Sequence, residues 1–375
     1  MQSRAFTTAK TIAKFAIPAV IIGYLLLYYV GPEEWEQLAN QPKNFGLLTA
    51  ALIVAIGALL LSFVRWCMLV RCQGIELTML EAIRLGAICF LLSFVSAGSV
   101  GGDLFKAIFL ARRRPGKRVA AVASVLVDRG VGLFALVMLT AIALLFTDTP
   151  EAASSESGEA GIGLVQIKWV TFVLFGIGTV ALLFLILGGR SVDRLITAGS
   201  KLPVVGQLIA HIGPPLRVFH SHAFAFGAAI VMSLGVHGLL ALSVYLVARG
   251  LYAAPPTMAE HFVIVPIGML ISALPITPAG IGLFEAAIES MYRVIPAKPT
   301  LASGTLVALV FEFVKIIMAV IGTVFYWTAN EEVTQSLEDA GKVADDHPDE
   351  ASVTGETSIA AEASGPIVGA GGNET

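Results

Sequence analysis

Six stretches of the chain are apolar for long enough to cross a bilayer as helices: residues 11–30, 47–70, 119–146, 165–187, 223–248 and 301–327. A hydrocarbon core about 30 Å thick takes roughly 20 residues in helical form. Each stretch therefore predicts a full transmembrane helix. Turn signals interrupt the pattern at Gly31-Pro32, Thr149-Pro150, Gly188-Gly189, Pro255-Pro256 and Pro296, where proline and glycine end helices.

Charges in the short loops set an orientation, because Lys and Arg accumulate on the cytoplasmic side. The N-terminus carries Arg4, Lys10 and Lys14 and is expected inside. The loop with Glu33, Glu34 and Glu36 then lies outside, and Arg65 and Arg71 bring the second span back in. Arg112, Arg113, Arg114, Lys117 and Arg118 form the densest basic cluster, expected as a cytoplasmic anchor touching anionic lipids. The acidic loop 148–163 goes outside, and Arg190, Arg194, Lys201 and Arg217 follow inside. Both termini are thus predicted to be cytoplasmic, in a multi-pass protein of a prokaryotic inner membrane.

Two apolar stretches conflict with this count. Residues 77–95 start inside, yet only 97–111 separate them from a basic cluster that is also inside. That return is broken by Gly98, Gly101, Gly102, Asp103 and Lys106, so it cannot be a full span. A hairpin resolves the conflict: it enters from the cytoplasm, breaks over 96–102 and returns as a short helix. Residues 262–274 behave alike from the outer side, breaking at Pro275-Ile-Thr-Pro278-Ala-Gly280-Ile-Gly282 and returning through 283–292. Irregular backbone at membrane depth is tolerated only where protein buries it or where it lines a wet cavity.

The two hairpins align. Leu104-Phe105-Lys106-Ala107 matches Leu283-Phe284-Glu285-Ala286, and Gly101 falls on Gly280. With a five-residue shift, Val127-Asp128 falls on Phe311-Glu312. Two copies of hairpin plus span with opposite orientation make an inverted repeat, with a site expected near the midplane where the broken helices meet. The expected fold class is an all-α integral membrane protein of six full transmembrane helices plus two re-entrant broken-helix hairpins in an inverted repeat. It fills residues 1–330, with half-repeats at about 77–146 and 262–328.

Composition agrees with a bilayer protein. Hydrophobic residues are 56% of the chain and charged residues 14%, against about a quarter charged in soluble domains. The net charge of −3 hides an asymmetry: residues 331–375 hold 11 Asp/Glu and one Lys, leaving the rest at about +7. That Ala/Gly/Ser/Glu-rich tail is expected to be a disordered cytoplasmic extension, open to a protein partner. The linker 188–222, with Pro203 and Pro214-Pro215, reads as short interfacial helices. Cys67, Cys72 and Cys89 show no disulfide or metal spacing. The basic N-terminus before 15–30 reads as an uncleaved first span, since no small-residue cleavage site follows.

Charges within apolar stretches are rare and usually functional. Asp128 and Arg129 are candidates either for an ion pair with neighbours or for the wall of a translocation cavity. Glu312 and Lys315, three apart, either neutralise each other or lie on the pathway. Asp103 stands where it caps a half-helix, and Lys106 one turn on can snorkel or meet a phosphate. Glu285 takes the position corresponding to Lys106, so the two either pair or mark unequal halves. Glu81 and Arg84 are expected to pair, and His237 to be a hydrogen-bonded core residue. Both returning half-helices aim free N–H groups at the membrane centre, the arrangement of an anion site.

Ser96-Ala-Gly-Ser-Val-Gly-Gly-Asp103-Leu-Phe-Lys106, then Ser124-Val-Leu-Val-Asp128-Arg129, and later Pro275-Ile-Thr-Pro278-Ala-Gly280-Ile-Gly282-Leu-Phe-Glu285, together resemble the lysylphosphatidylglycerol synthase transmembrane, or flippase-like, family. The resemblance covers roughly residues 10–330. It implies lipid movement across the bilayer, with Gly101, Gly102, Asp103, Asp128, Arg129, Pro278, Gly280, Gly282 and Glu285 as functional candidates. Some members resembled carry a cytoplasmic aminoacyl-transferase domain, and others are linked to isoprenoid-linked sugars. Lys106 replaces an Arg common in the family, and Ser96 replaces a frequent Pro. The 45 residues of the tail are too few for a transferase, so synthesis of an aminoacylated lipid is not expected.

The sequence thus predicts a carrier, not an enzyme, that moves an anionic lipid or polyprenyl-phosphate-linked headgroup between leaflets. The phosphate would sit between the two half-helix N-termini with Arg129, Lys106 and Lys315, and rocking of one repeat against the other would expose it alternately. Neither a cofactor, a metal nor a nucleic-acid partner is expected. Two alternatives stay open: a small-anion transporter coupled to protons through Glu285 or Glu312, and a non-transporting scaffold acting through the tail.

Overall fold

The computed structural model describes residues 36, 39–40, 42–95, 100–113, 115–146, 164–187, 221–274, 277 and 280–328. The expected first span, the linker up to residue 220 and the tail from 331 lie outside the described residues. Those described fold into nine α-helices: α1 (Phe45–Cys72), α2 (Met79–Val95), α3 (Val100–Arg113), α4 (Arg118–Phe146), α5 (Leu164–Leu187), α6 (Ala223–Leu251), α7 (Met258–Ser272), α8 (Leu283–Val294) and α9 (Gly304–Trp327). Five of them, α1, α4, α5, α6 and α9, are long and apolar enough to cross a membrane.

Helix ends follow local chemistry. Asn44 Oδ1 accepts from the Leu47 N–H at 3.1 Å and starts α1, the side-chain cap that free N–H groups of a first turn require. Thr257 and Glu260 form a capping box at α7: Glu260 Oε2 accepts from Thr257 N at 2.6 Å, and Thr257 Oγ1 accepts from Glu260 N. Ser303 caps α9 through Leu306 N, so residues 301–303 form the cap and not the predicted first turn of the span. Glu81, expected to pair with Arg84, uses Oε2 to accept from both the amide and the hydroxyl of Thr78 at the start of α2.

The misfit stretches become two pairs of short helices, α2 against α3 and α7 against α8. α4 packs on α3 and also on α7; α9 packs on α8 and also on α2. Each long helix therefore leans on the first arm of the other pair. At one of these seams Gly322 of α9 lies so close to α2 that an added Cβ would collide with the Ala87 carbonyl and come within 3.1 Å of Leu91 Cβ. Small residues of this kind let membrane helices approach closely. α1 and α6 form the most extensive helix pair and back this arrangement, with Ser243 Oγ donating to the Ala51 carbonyl at 2.8 Å.

The apolar core divides accordingly. One cluster joins α1, α6, α7, α8 and α9 through Ala51, Val244, Ile264, Ile288 and Val307. A second gathers Trp66, Ile88, Phe105 and Leu110 around the first helix pair. α5 packs mainly on α4, where Phe175 stacks on Phe134 at 5.8 Å. Trp169 and Val180 of α5 are exposed, an apolar surface suited to lipid.

Candidate functional site

Between the two short-helix pairs lies a cavity of about 390 Å³. The first pair contributes Gly102, Asp103 and Lys106, and α4 adds Asp128 and Arg129. The second pair contributes Ser272, Gly280 and Phe284, and α9 adds Lys315. Arg65 from α1 and His237 from α6 complete the polar wall.

Four cations reach this space, each held differently. Arg65 is buried; its Nε donates to Asp128 Oδ1 at 2.9 Å and its Nη1 to Ser233 Oγ at 2.7 Å, tying α1, α4 and α6 together. Arg129 pairs with Asp103 across the α3–α4 contact. Its side chain keeps 52% of its exposure although it lies well inside a spanning helix, because it projects into the cavity. Lys106 Nζ stands 4.8 Å from the centre of the Trp66 ring, a cation–π contact. Among the described residues no carboxylate pairs with it. Lys315 forms an ion pair with Glu312 one turn away and sits 5.3 Å from the Phe284 ring centre.

The acids behind the wall are less well served. Glu285 is fully buried; its Oε2 accepts from Gly282 N at 2.6 Å, and its Oε1 has no hydrogen-bond partner among the described residues. Glu312 is buried too; its Oε1 is ion-paired with Lys315, and its Oε2 has no hydrogen-bond partner among the described residues. His237 donates from Nε2 to the Gly132 carbonyl at 3.0 Å, as expected of a core histidine.

Glycine is demanded at two points of the wall. A Cβ on Gly102 would overlap the Cys89 carbonyl and lie 2.9 Å from Ser93 Oγ, so the arms of the first pair touch there. Gly280 has φ +73°, and its Cβ would meet the Ser272 carbonyl at 2.5 Å. The second pair closes in the same manner, through a left-handed residue that other side chains avoid.

Of the residues singled out from sequence, Gly102, Asp103, Lys106, Asp128, Arg129, Gly280 and Lys315 line the one cavity. Gly101 lies in the first turn of α3. Gly282, Glu285 and Glu312 stand behind the wall, and Pro278 lies outside the described residues. A pairing of Lys106 with Glu285 does not form: Lys106 rests on Trp66 of α1, and Glu285 folds back onto the N–H of its own helix start. Asp103, also readable as a helix cap, is the partner of Arg129.

Arg65 was read from sequence only as an orientation marker. Its place seven residues before the end of α1, inside an apolar run, is the same signal that singled out Arg129 and marks it as a candidate, while its pairing with Asp128 is visible only in the fold.

A family model, described as the lysylphosphatidylglycerol synthase TM region, matches residues 11–322. The chain belongs to this family. It is also 24% identical over 267 residues to the glycosyltransferase AglD of Haloferax volcanii, an alignment covering 65% of this chain and 43% of that protein. The chain thus spans less than half the length of that curated relative. No solved structure gives a match. Membership, together with the five long apolar helices, makes this a multi-pass membrane protein with a lipid-related setting. The motif glycines and acids that suggested the family flank the cavity from both sides.

Proposed function

We propose that the chain moves an anionic lipid, or a polyprenyl-phosphate-linked headgroup, between membrane leaflets, holding the phosphate in the cavity between α3 and α8. The observation that carries this reading is the set of cations around the cavity, above all Lys106, which rests on an aromatic face with no carboxylate partner among the described residues. Lys106 is half-buried; an ammonium partly removed from water without a counter-charge is poorly compensated, and an incoming phosphate supplies the missing charge. Arg129, half-exposed to the cavity, offers a planar fork suited to phosphate oxygens. The N-terminus of α8 already receives Glu285, so the side-chain cations and the start of α3 carry the anion.

The matched contacts, α4 on α7 and α9 on α2, support an inverted repeat, with the two short pairs as hairpins entering from opposite faces. In that frame the first pair opens to the cytoplasm, where both termini also lie, in the inner membrane. A cavity of about 390 Å³ suits a headgroup while the tails remain in lipid. We read the chain as a carrier that leaves its cargo chemically unchanged; the name of AglD describes a protein of which this chain matches less than half.

Reconstitution tests the proposal. Proteoliposomes containing fluorescent phosphatidylglycerol or a fluorescent prenyl phosphate are treated with an impermeant quencher of the outer leaflet. Protein-dependent loss of the inner-leaflet signal is expected with at least one probe. Folded protein that moves neither probe faster than empty vesicles would overturn the reading.

A further inference from the structure

Two carboxylates and one ammonium share a buried site at the junction of α8 and α9. Glu285 and Glu312 are close enough to interact electrostatically, and Lys315 acts on both. Of their four carboxylate oxygens, Glu285 Oε1 and Glu312 Oε2 have no partner among the described residues. Lys315 differs from the two acids in one respect: it also lines the cavity. A single ammonium therefore serves two clients, the acids behind it and whatever anion enters in front.

We propose that anion entry is coupled to uptake of a proton by the Glu285–Glu312 pair, with Lys315 as the switch. The inference rests on reading the cavity as an anion site. With the cavity empty, Lys315 neutralises one carboxylate of the pair, and one proton carried by the pair neutralises the other. When a phosphate enters, the Lys315 ammonium swings from Glu312 towards it. The pair then lacks its cation, and a buried uncompensated carboxylate is strongly disfavoured. One proton passes from water to a carboxylate oxygen of the pair; it leaves again when the anion departs and Lys315 returns. The proton belongs to the pair and not to either residue.

Other charged groups near the cluster are already engaged. Across the cavity Arg65 is held by Asp128, and Arg129 by Asp103. Lys106 lies on Trp66, His237 is bonded to the Gly132 carbonyl, and Cys89 is buried on α2. From α7, which packs on α8, Glu260 caps its own helix and accepts from Ala297 N, while His261 is bonded to Tyr292. Farther along α8, Glu289 accepts from Arg293 and from Thr305 N. The Glu285–Glu312 pair is the group whose counter-charge is removed when Lys315 turns.

The test is calorimetric titration of the full chain in detergent with farnesyl phosphate, in buffers of different ionisation enthalpy, at about pH 8. This lies above the second pKa of about 6 for a phosphate monoester, so the ligand itself is already dianionic. Wild type should take up about one proton per anion bound, the linkage that coupled sites require. In the double variant E285Q/E312Q the uptake per anion bound should vanish; if that protein does not fold, the single variants E285Q and E312Q should each lower it. Binding by wild type without proton uptake overturns the inference alone. So does uptake that persists in the double variant or stays complete in both single variants. Absence of any binding by wild type instead overturns the anion reading of the cavity, and the coupling falls with it.

Discussion

Arg65 Nε and Asp128 Oδ1 stand 2.9 Å apart, joined across 63 positions of sequence, and both side chains are more than nine-tenths buried. This pair fixes α1 to α4 beside the cavity, and the bond from Arg65 to Ser233 extends the tie to α6. Asp128→Asn leaves a buried guanidinium unpaired and should cost about 3–5 kcal/mol of stability. Replacing both partners, as in R65M/D128L, should cost less than the single change. Denaturant unfolding in mixed micelles measures both; equal losses would show that the pair is not the source of the effect.

Arg129 is expected to behave differently although it is the next residue. Its removal leaves Asp103 with part of its surface facing the cavity, where water can solvate it. Arg129→Ala should therefore keep the folded protein and lower anion affinity roughly 10- to 100-fold, the worth of a charge-assisted hydrogen bond of about 1.5–3 kcal/mol. Transport in proteoliposomes should be lost with it. An R129A protein that still transports at the wild-type rate removes this residue from the mechanism.

Backbone requirements are testable at Gly280. Alanine there faces a left-handed φ of +73° and the Ser272 carbonyl at 2.5 Å, and the φ alone costs about 1–2 kcal/mol. G280A should lower the melting temperature clearly. Gly116, exposed with nothing within 4 Å of a built Cβ, supplies the contrast: G116A should be near neutral.

The proposed inversion predicts opposite faces for two loops. Gly116 lies between α3 and α4, and Lys298 between α8 and α9; both are exposed. An impermeant maleimide should label G116C from the cytoplasmic side only and K298C from the outer side only. The three native cysteines are buried or half-buried and give little background. Labelling of both from one side would dismiss the inverted arrangement.

How much of this was legible beforehand follows from which interactions are local. Apolar length and turn residues located the five described spanning helices and both short pairs to within a few residues, since helix formation in lipid depends on the segment itself. The Glu312–Lys315 pair, three residues apart, was equally readable. Partners distant in sequence were not. Nothing near Asp128 points to Arg65, and nothing near Lys106 points to Trp66, because both contacts exist only once α1 has packed beside α3 and α4. Of the two readings of Lys106 and Glu285, a pair or a mark of unequal halves, the pair does not form for the same reason: matched positions in sequence need not be neighbours in space.

The crossed seams bear on how such a protein can move at all. α4 is anchored on α7 and α9 on α2, so each long helix is clasped by the first arm of the other short pair. Going from α2 to α3, α4, α7, α8, α9 and back to α2, every neighbour touches the next. A chain of contacts closed in this way cannot be divided at its sequence midpoint. On the proposed carrier reading, the bodies that shift would therefore be mixed units drawn from both short pairs, and the gates would be the joints α4–α7 and α9–α2, where a headgroup would slip sideways while its tails stay outside the ring.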